Sequence, residues 1–455
     1  MSKNDIILRN PKQGALVKAT QQSQTFLTLL QQSDEQRLIE LLKTIDFSSA
    51  ATLISSLEHI EWTVEFIEKY AEYWDWKRLS WNKALLWSME LIERFEDRWN
   101  WGWFGLSNNK ALPWSMELIE RFEEHWDWEK LSWNKALLWS MELIERFEDR
   151  WNWGRFGLSN NKALPWSIEL IEHFEARWRW GENGLSSNEA LPWSMELIER
   201  FEDRWDWKAL SGNEGLPWSM ELIERFEERW VWDEDEYEFW NGGLSGNEAL
   251  PWSIDLLDKF KHKWDWSSLS SNKALPWSME LIERFEERWV WDEFWYGGLS
   301  GNEGLPWSMA LIERFEERWS WWKLSGNKAL PWSMELIERF EDRWDWSSLS
   351  SNKALPWSME LIERFEDRWD WKALSGNEAI PWSMELIERF EARWDWERLS
   401  SNKALPWSID LLDKFKHKWD WRWLAHNEKA QQIFTALSVQ GIEEVMDYHI
   451  KNENS

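Results

Sequence analysis

Residues 331–355 read PWSMELIERFEDRWDWSSLSSNKAL, and this 25-residue unit recurs along most of the chain. The first tryptophan of the unit appears fourteen times, at Trp62, Trp87, Trp114, Trp139, Trp166, Trp193, Trp218, Trp252, Trp277, Trp307, Trp332, Trp357, Trp382 and Trp407. Most steps are 25 residues, and longer steps gain their extra residues just before the Leu-Ser pair. A fixed period of this size indicates a repeat protein, and insertion at one point marks a loop on one face of the stack.

The first half of the unit predicts an amphipathic α-helix. Ser333 is a favourable N-cap, and Pro331 before it cannot continue a preceding helix. Helical spacing over residues 334–344 places the apolar residues on one arc. These are Met334, Leu336, Ile337, Phe340 and Trp344. Arginines lie along one flank and carboxylates along the other, so we expect a ladder of ion pairs between neighbouring coils.

The second half of the unit, residues 345–351, is too short for a full helix. It predicts one helical or 3-10 turn that begins at Asp345, with Trp346 and Leu349 inward. An asparagine follows in every unit: Asn82, Asn109, Asn134, Asn161, Asn188, Asn213, Asn247, Asn272, Asn302, Asn327, Asn352, Asn377, Asn402 and Asn427. Because asparagine suits turns and carries a spare amide, the pattern favours an internal asparagine ladder over a ligand site.

These features predict an all-α protein, an α-solenoid of fourteen coils with one α-helix and one short helical or 3-10 turn in each. The pattern over residues 62–427 resembles the leucine-rich-variant class of short α-solenoids. In that class an asparagine precedes the proline that leads into the next helix, as Asn327 precedes Pro331 here. The units also look like the Trp-rich tandem repeats of uncharacterised bacterial and large-virus proteins. The resemblance implies a fold but no activity.

The repeat divides the chain into residues 1–60, 61–427 and 428–455. Residues 1–60 predict three helices, over 15–32, 34–45 and 49–60. The ends of a solenoid expose apolar surface, so we expect the first and last segments to be helical caps. A separate effector domain is the alternative for residues 1–60.

Composition argues against several functional classes. The formal net charge is −30, from 83 acidic and 53 basic residues, whereas phosphate groups on nucleic acid or a membrane attract lysine and arginine. The chain has no cysteine, and its seven histidines are scattered, so no metal or cofactor site and no enzyme activity are expected. No segment resembles a signal peptide or a membrane span, which predicts a cytoplasmic location.

Two long inserts, residues 231–243 and 290–298, are the predicted partner-binding loops. Their candidate contact residues are Trp232, Asp233, Asp235, Tyr237, Phe239, Trp240, Trp291, Phe294, Trp295 and Tyr296. Repeat proteins commonly recognise partners through loops and aromatic anchors. Alternatively, the rings fold back and cover the edge of the coil. The run from Asp233 to Glu236 also suggests a Ca²⁺ ligand set, but it lacks EF-hand spacing and its glycine.

Two units carry the segment IDLLDKFKHKWDW, where cations replace outward carboxylates. These cations are Lys261, His262, Lys416 and His417. They are predicted docking points for acidic residues of a partner. Copying of one unit by recombination is the alternative explanation.

Together these patterns predict a non-catalytic scaffold that binds a protein partner through an elongated acidic surface and the aromatic inserts. The acidic surface favours a partner with basic patches and salt-sensitive association. A self-assembling fibre or layer protein is the alternative, followed by an acidic DNA mimic whose charge would be sparser than that of duplex DNA. The oligomeric state stays open.

Overall fold

A computed structural model of the chain describes residues 32–232, 243–292 and 298–453. All regular secondary structure in these ranges is helical, which confirms the predicted all-α class and the helical repeat. The chain forms two compact units. Unit 1 combines the N-terminal part up to Asp75, Ala84–Leu86 and the C-terminal part from Trp396, and unit 2 contains Trp76–Lys83 and Trp87–Asp395. No helix in the described ranges is both long and apolar enough to cross a membrane.

The first helix of each coil has six residues and follows a serine or threonine N-cap. We number the coils 1–14 by these helices. Their bounds are Val64–Lys69, Met89–Arg94, Met116–Arg121, Met141–Arg146, Ile168–His173, Met195–Arg200, Met220–Arg225, Ile254–Lys259, Met279–Arg284, Met309–Arg314, Met334–Arg339, Met359–Arg364, Met384–Arg389 and Ile409–Lys414.

The first helix is shorter than its apolar spacing predicts, because it ends at Arg339 and does not reach Trp344. Phe340 leaves the helical conformation at φ −118° and ψ 29°. A turn follows, and the Trp344 indole Nε1 donates to the carbonyl oxygen of Ile337 at 3.0 Å. This bond satisfies one of the carbonyl groups that a helix end leaves free. Phe340 and Trp344 are nevertheless buried, as predicted.

The second half of each coil is a short helix or a 3-10 turn, as predicted. The bounds are Trp76–Trp81, Leu106–Asn108, Trp128–Trp133, Leu158–Asn160, Leu185–Ser187, Trp207–Ser211, Gly243–Gly246, Trp266–Ser271, Gly298–Gly301, Trp321–Gly326, Trp346–Ser351, Trp371–Ser375, Trp396–Ser401 and Trp421–Leu424. In coil 11, Asp345 caps the helix by accepting from the Ser348 backbone N–H, and Asn352 follows its last residue. The 3-10 turns occur in coils 2, 4 and 5, where short inserts precede the Leu-Ser pair.

Tryptophan rings pack between successive coils. Trp346, at the start of the second helix of coil 11, lies 4.9 Å from both Phe365 and Trp369 of coil 12, measured between ring centroids. Trp369 also contacts Trp357 of its own coil at 5.0 Å. The same arrangement recurs along the stack, so each interface between coils is closed by indoles.

The asparagine ladder is present inside the stack, as predicted. Asn352 is 2% exposed, and its Nδ2 donates to the carbonyl oxygens of Ser325 at 3.0 Å and Asn327 at 3.2 Å in the preceding coil. Its Oδ1 accepts from the backbone N–H of Ala354 at 2.9 Å. Asn377 repeats this pattern toward Ser350 and Asn352. Each of these two asparagines therefore joins the backbones of two neighbouring coils.

Ion pairs between coils follow the predicted arrangement of flanks. The Arg364 guanidinium lies 2.8 Å from Glu338 of the preceding coil, and that of Arg368 lies 3.4 Å from Glu341. The Arg368 guanidinium also lies over the Trp346 ring, at 4.9 Å from its centroid. Because these side chains are about half exposed, each pair contributes only about 0–1 kcal/mol.

The terminal segments form further helices within unit 1. Residues 32–44 are helical, and the other bounds are Phe47–Ser55, Glu428–Gln431, Gln432–Ala436 and Val439–Glu453. The helix predicted over residues 49–60 thus begins earlier and ends at Ser55. The helix predicted over residues 15–32 lies almost entirely outside the described residues.

The two terminal segments pack against each other in unit 1, which the sequence did not predict. Lys43 pairs with Glu444 at 2.8 Å, and Lys69 pairs with Glu443 at 2.7 Å. The hydroxyl of Tyr70 donates to Asp447 at 2.8 Å, and burial raises the pKa of Tyr70 to about 12. Apolar side chains from both segments share one core, since Leu38, Leu42, Val445 and Met446 are all 0% exposed. Each segment therefore covers apolar surface of the other.

Candidate functional site

The predicted insert residues fall into two groups. Asp233, Asp235, Tyr237, Phe239, Trp240, Phe294, Trp295 and Tyr296 lie outside the described residues. Trp232 and Trp291 are described, and each is only 8% exposed. The Trp232 ring lies 4.8 Å from that of Trp264, and the Trp291 ring lies 4.7 Å from that of Trp319. Both rings take the interface position of Trp346, so neither presents its surface to a partner in this structure.

The four predicted cationic docking residues lie in different units. Lys261 and His262 are exposed in unit 2, and His417 is exposed in unit 1. Lys416 is half-buried in unit 1, pairs with Asp413 at 3.0 Å, and lines a pocket of 260 Å³ with Arg37 and Glu40. The role of these four residues in docking stays a prediction.

A different set of aromatic residues is exposed in unit 2, on the side of coils 1–4 that carries the inserts. Trp103 is 57% exposed, Phe104 51%, Phe156 50% and Trp81 36%, while Trp133 is half-buried. We call these five residues the aromatic face. Most of the other described tryptophans are packed between coils, so this cluster departs from the packing rule of the repeat.

Two short inserts project part of the aromatic face outward. In coil 2 the chain doubles back sharply, because the backbone N–H of Leu106 donates to the carbonyl oxygen of Asn100 at 2.8 Å. A Cβ atom on Gly105 would lie 1.9 Å from that same oxygen, so only glycine fits there. The tight loop leaves the side chains of Trp103 and Phe104 outside, and the insert of coil 4 repeats this geometry at Gly157.

Phe104 and Phe156 adopt a left-handed backbone conformation, with φ of 56° and 58°. The corresponding residue of coil 5 is Asn183 at φ 56°, a residue type that tolerates this region. In this conformation a residue with a Cβ atom destabilises the fold by about 1–2 kcal/mol. Backbone strain of this kind often marks residues with a functional role. The two phenylalanines therefore occupy positions where local stability alone would favour asparagine or glycine.

The aromatic face contains the same ring pair twice. The centroids of Trp81 and Phe104 lie 6.2 Å apart at an interplanar angle of 76°, and those of Trp133 and Phe156 lie 6.2 Å apart at 81°. A pocket of 430 Å³ opens in this surface. Its lining residues are Trp103, Asn108, Glu129, Lys130, Trp133 and Phe156. Its volume is within the range of about 300–1,000 Å³ that is typical of ligand pockets.

Cations accompany the exposed rings. The Lys130 ammonium lies 4.1 Å from the centroid of Trp103, the Arg155 guanidinium 4.9 Å from that of Phe156, and the Lys77 ammonium 5.5 Å from that of Phe104. Residues 76–83, 101–110, 128–135 and 153–162 together contain eight lysines and arginines against the single carboxylate of Glu129. These segments are therefore more basic than the chain as a whole, whose net charge is −30, although Glu129 pairs with Lys130 and the Asp127 carboxylate lies near Gly102.

A row of four lysines, which we call the lysine row, follows the ladder asparagines of coils 1–4. The row consists of Lys83, Lys110, Lys135 and Lys162, all of them exposed. In later coils this position holds both lysine and glutamate, which pair between coils, as Lys353 and Glu378 do at 2.7 Å. Lys162 pairs with Glu189, but within the described ranges no carboxylate forms an ion pair with the other three. The row therefore leaves positive charge available to an anionic group.

Sequence reasoning missed the aromatic face because its tryptophans were counted with those of the repeat. The signal was present, since Trp81 and Trp133 stand in the segment LSWN, where the other repeats have serine, glycine, asparagine or, at residue 426, histidine. Among the described residues, no group of three or more histidines and carboxylates is placed to hold a metal ion. Comparison of the chain with protein-family models, curated proteins and solved structures gives no match.

Proposed function

We propose that the chain is a non-catalytic scaffold that binds another protein through the aromatic face of coils 1–4. The observation that carries this proposal is the cluster of exposed rings around a 430 Å³ pocket. Aromatic side chains at a pocket supply most of the binding energy in many protein interfaces. Contiguous exposed apolar surface in a repeat protein also marks a site of interaction.

The arrangement favours a partner with one apolar side chain and several carboxylates. The apolar side chain would enter the pocket between Trp103, Trp133 and Phe156, and the carboxylates would face the lysine row. Attraction between such charges raises the rate of association and makes it sensitive to salt. The partner expected from the sequence was basic, because that expectation rested on the acidic inserts and the overall charge. At the aromatic face the local charge has the opposite sign.

We also propose that the repeat is of the leucine-rich-variant or Trp-rich type. A cytoplasmic location is part of the same proposal. Self-assembly by stacking of free solenoid ends is less well supported, because the terminal segments already cover apolar surface of each other in unit 1. A DNA mimic is also less well supported at the aromatic face, since that surface is basic.

Site-specific cross-linking in the native cell tests the proposal. A photo-reactive phenylalanine analogue replaces Trp103 or Phe156 in the full chain, and the matched control carries it at Trp322, which is 51% exposed in coil 10. We expect one discrete adduct from positions 103 and 156 and none from position 322. The adduct should be removed by protease and resist nuclease.

Two outcomes would count against a protein partner. Equal labelling at all three positions would mean that the aromatic face is no more interactive than an isolated exposed tryptophan. An adduct sensitive to nuclease would replace the protein partner with a nucleic acid.

A further inference from the structure

We propose that the aromatic face binds the acidic insert of a second copy of the chain, so that copies join head to tail. The acidic insert is residues 233–240, with the sequence DEDEYEFW. This inference rests on the proposed function, because it names the occupant of the same surface.

The two surfaces are complementary in chemistry. The acidic insert carries five carboxylates together with three aromatic residues. The aromatic face lies at a pocket, and cations lie over three of its rings. The lysine row belongs to the same four coils. A surface that binds the acidic insert needs basic and apolar residues. A segment that binds the aromatic face needs carboxylates and one apolar side chain. One chain thus supplies both halves of one interface.

The acidic insert is separated along the stack from the aromatic face of its own copy. It belongs to coil 7, whereas the nearest member of the face, Phe156, belongs to coil 4. Neighbouring helices pack about 8–10 Å apart, so three steps between coils span about 24–30 Å. The ten residues between Trp232 and Gly243 are fixed at both ends, and about five extended residues reach only about 17 Å. The backbone of the insert therefore falls short of this span, and we assign the contact to two copies.

The geometry of this contact leads to an open assembly. The two partners use different surfaces, so each added copy still offers one unused insert and one unused face. Both copies carry a net charge of −30, but repulsion beyond the screening length of about 8 Å at physiological salt is weak. The charges at the contact itself therefore decide whether two copies associate.

Single-stranded nucleic acid is the other occupant that a basic and aromatic surface suggests, because bases stack on exposed rings. Here a cation already covers one face of Trp103, Phe104 and Phe156. The pocket, by contrast, suits a single inserted side chain. These contacts favour a polypeptide, and nucleic acid is retained as an outcome of the test.

The test uses a fluorescent synthetic peptide of residues 231–243 and measures its anisotropy with the full chain. A matched neutral peptide carries Asn for each Asp and Gln for each Glu. We expect the acidic peptide to bind, and the Trp103→Ala, Phe156→Ala double variant to bind it at least about tenfold more weakly. The Trp322→Ala variant should bind within twofold of the unaltered chain, and the neutral peptide should bind at least about tenfold more weakly.

Sedimentation velocity of the full chain over a concentration series provides the second measurement. We expect assemblies that grow with concentration and revert to monomer when Asp233, Glu234, Asp235, Glu236 and Glu238 are replaced by the corresponding amides. A chain that stays monomeric, or a peptide that binds the double variant equally well, overturns the inference. A labelled single-stranded thymidine 12-mer that binds the face and displaces the peptide also overturns it.

The two measurements distinguish failure of self-association from failure of the proposed scaffold function. If the peptide fails to bind while the cross-linker at residue 103 captures a different protein, self-association is wrong and the scaffold function stands. If both measurements fail, both proposals are wrong.

Discussion

Replacement of Trp344 by alanine is expected to lower the free energy of unfolding by about 3–5 kcal/mol, the range found for buried aromatic residues. Trp344 is 4% exposed, and its ring lies 4.9 Å from Trp321 of the preceding coil and 5.0 Å from Trp332. Its indole also donates to Ile337 at 3.0 Å. The substitution therefore weakens the interface between coils 10 and 11 and leaves the carbonyl group of Ile337 without this donor.

Urea unfolding followed by circular dichroism measures this effect, with Trp322→Ala as the matched control. Trp322 is 51% exposed, so its loss should change stability by no more than about 0.5 kcal/mol. Similar losses in the two variants would contradict the packing of indoles between coils. The stability of a repeat protein depends on interfaces between neighbours, so the loss at Trp344 should extend to coils 10 and 11.

Replacement of Asn352 by alanine is expected to lower the free energy of unfolding by about 2–3 kcal/mol. The substitution removes a donor from the buried carbonyl groups of Ser325 and Asn327, of which Asn327 keeps the indole of Trp332, and it removes the acceptor of the part-buried Ala354 N–H. Each buried polar group that loses its hydrogen bond costs about 1–3 kcal/mol. The Ser351→Ala variant, at the exposed neighbouring residue, serves as the control and should change stability by no more than about 0.5 kcal/mol.

Hydrogen exchange locates the effect of Asn352→Ala. The amide of Ala354 should exchange faster in the variant, because its acceptor is gone, and protection should fall in coils 10 and 11. If the variant matched Ser351→Ala in both stability and exchange, the asparagine ladder would have no structural role.

The parts of the fold that could be predicted are those that recur. Nearly every repeat has the serine cap, the buried pair equivalent to Leu336 and Ile337, the ladder asparagine and the charged flanks. Because each pattern occurs in many copies, it can be recognised from the sequence. The end of the first helix was missed because helical spacing also places Trp344 on the buried arc. The choice between helix and turn depends on the indole bond to Ile337, which no sequence pattern reports.

Contacts between the terminal segments could not be predicted, since Lys43 and Glu444 are 401 positions apart and carry no shared local pattern. The aromatic face was missed for another reason. Trp103 and Phe104 stand in a short insert, whereas the sequence signal for a binding loop, carboxylates next to aromatic residues, is found in the longer inserts. Only the backbone turn at Gly105 decides that these two rings point outward.

Hydroxyl-radical footprinting of the full chain, read residue by residue with mass spectrometry, tests most directly the claim that coils 1–4 expose rings which the rest of the repeat buries. We predict rapid oxidation of Trp103, Phe104 and Phe156 and strong protection of Trp344 and Trp369. Oxidation of Trp344 and Trp369 at the rate of Trp103 would contradict the account.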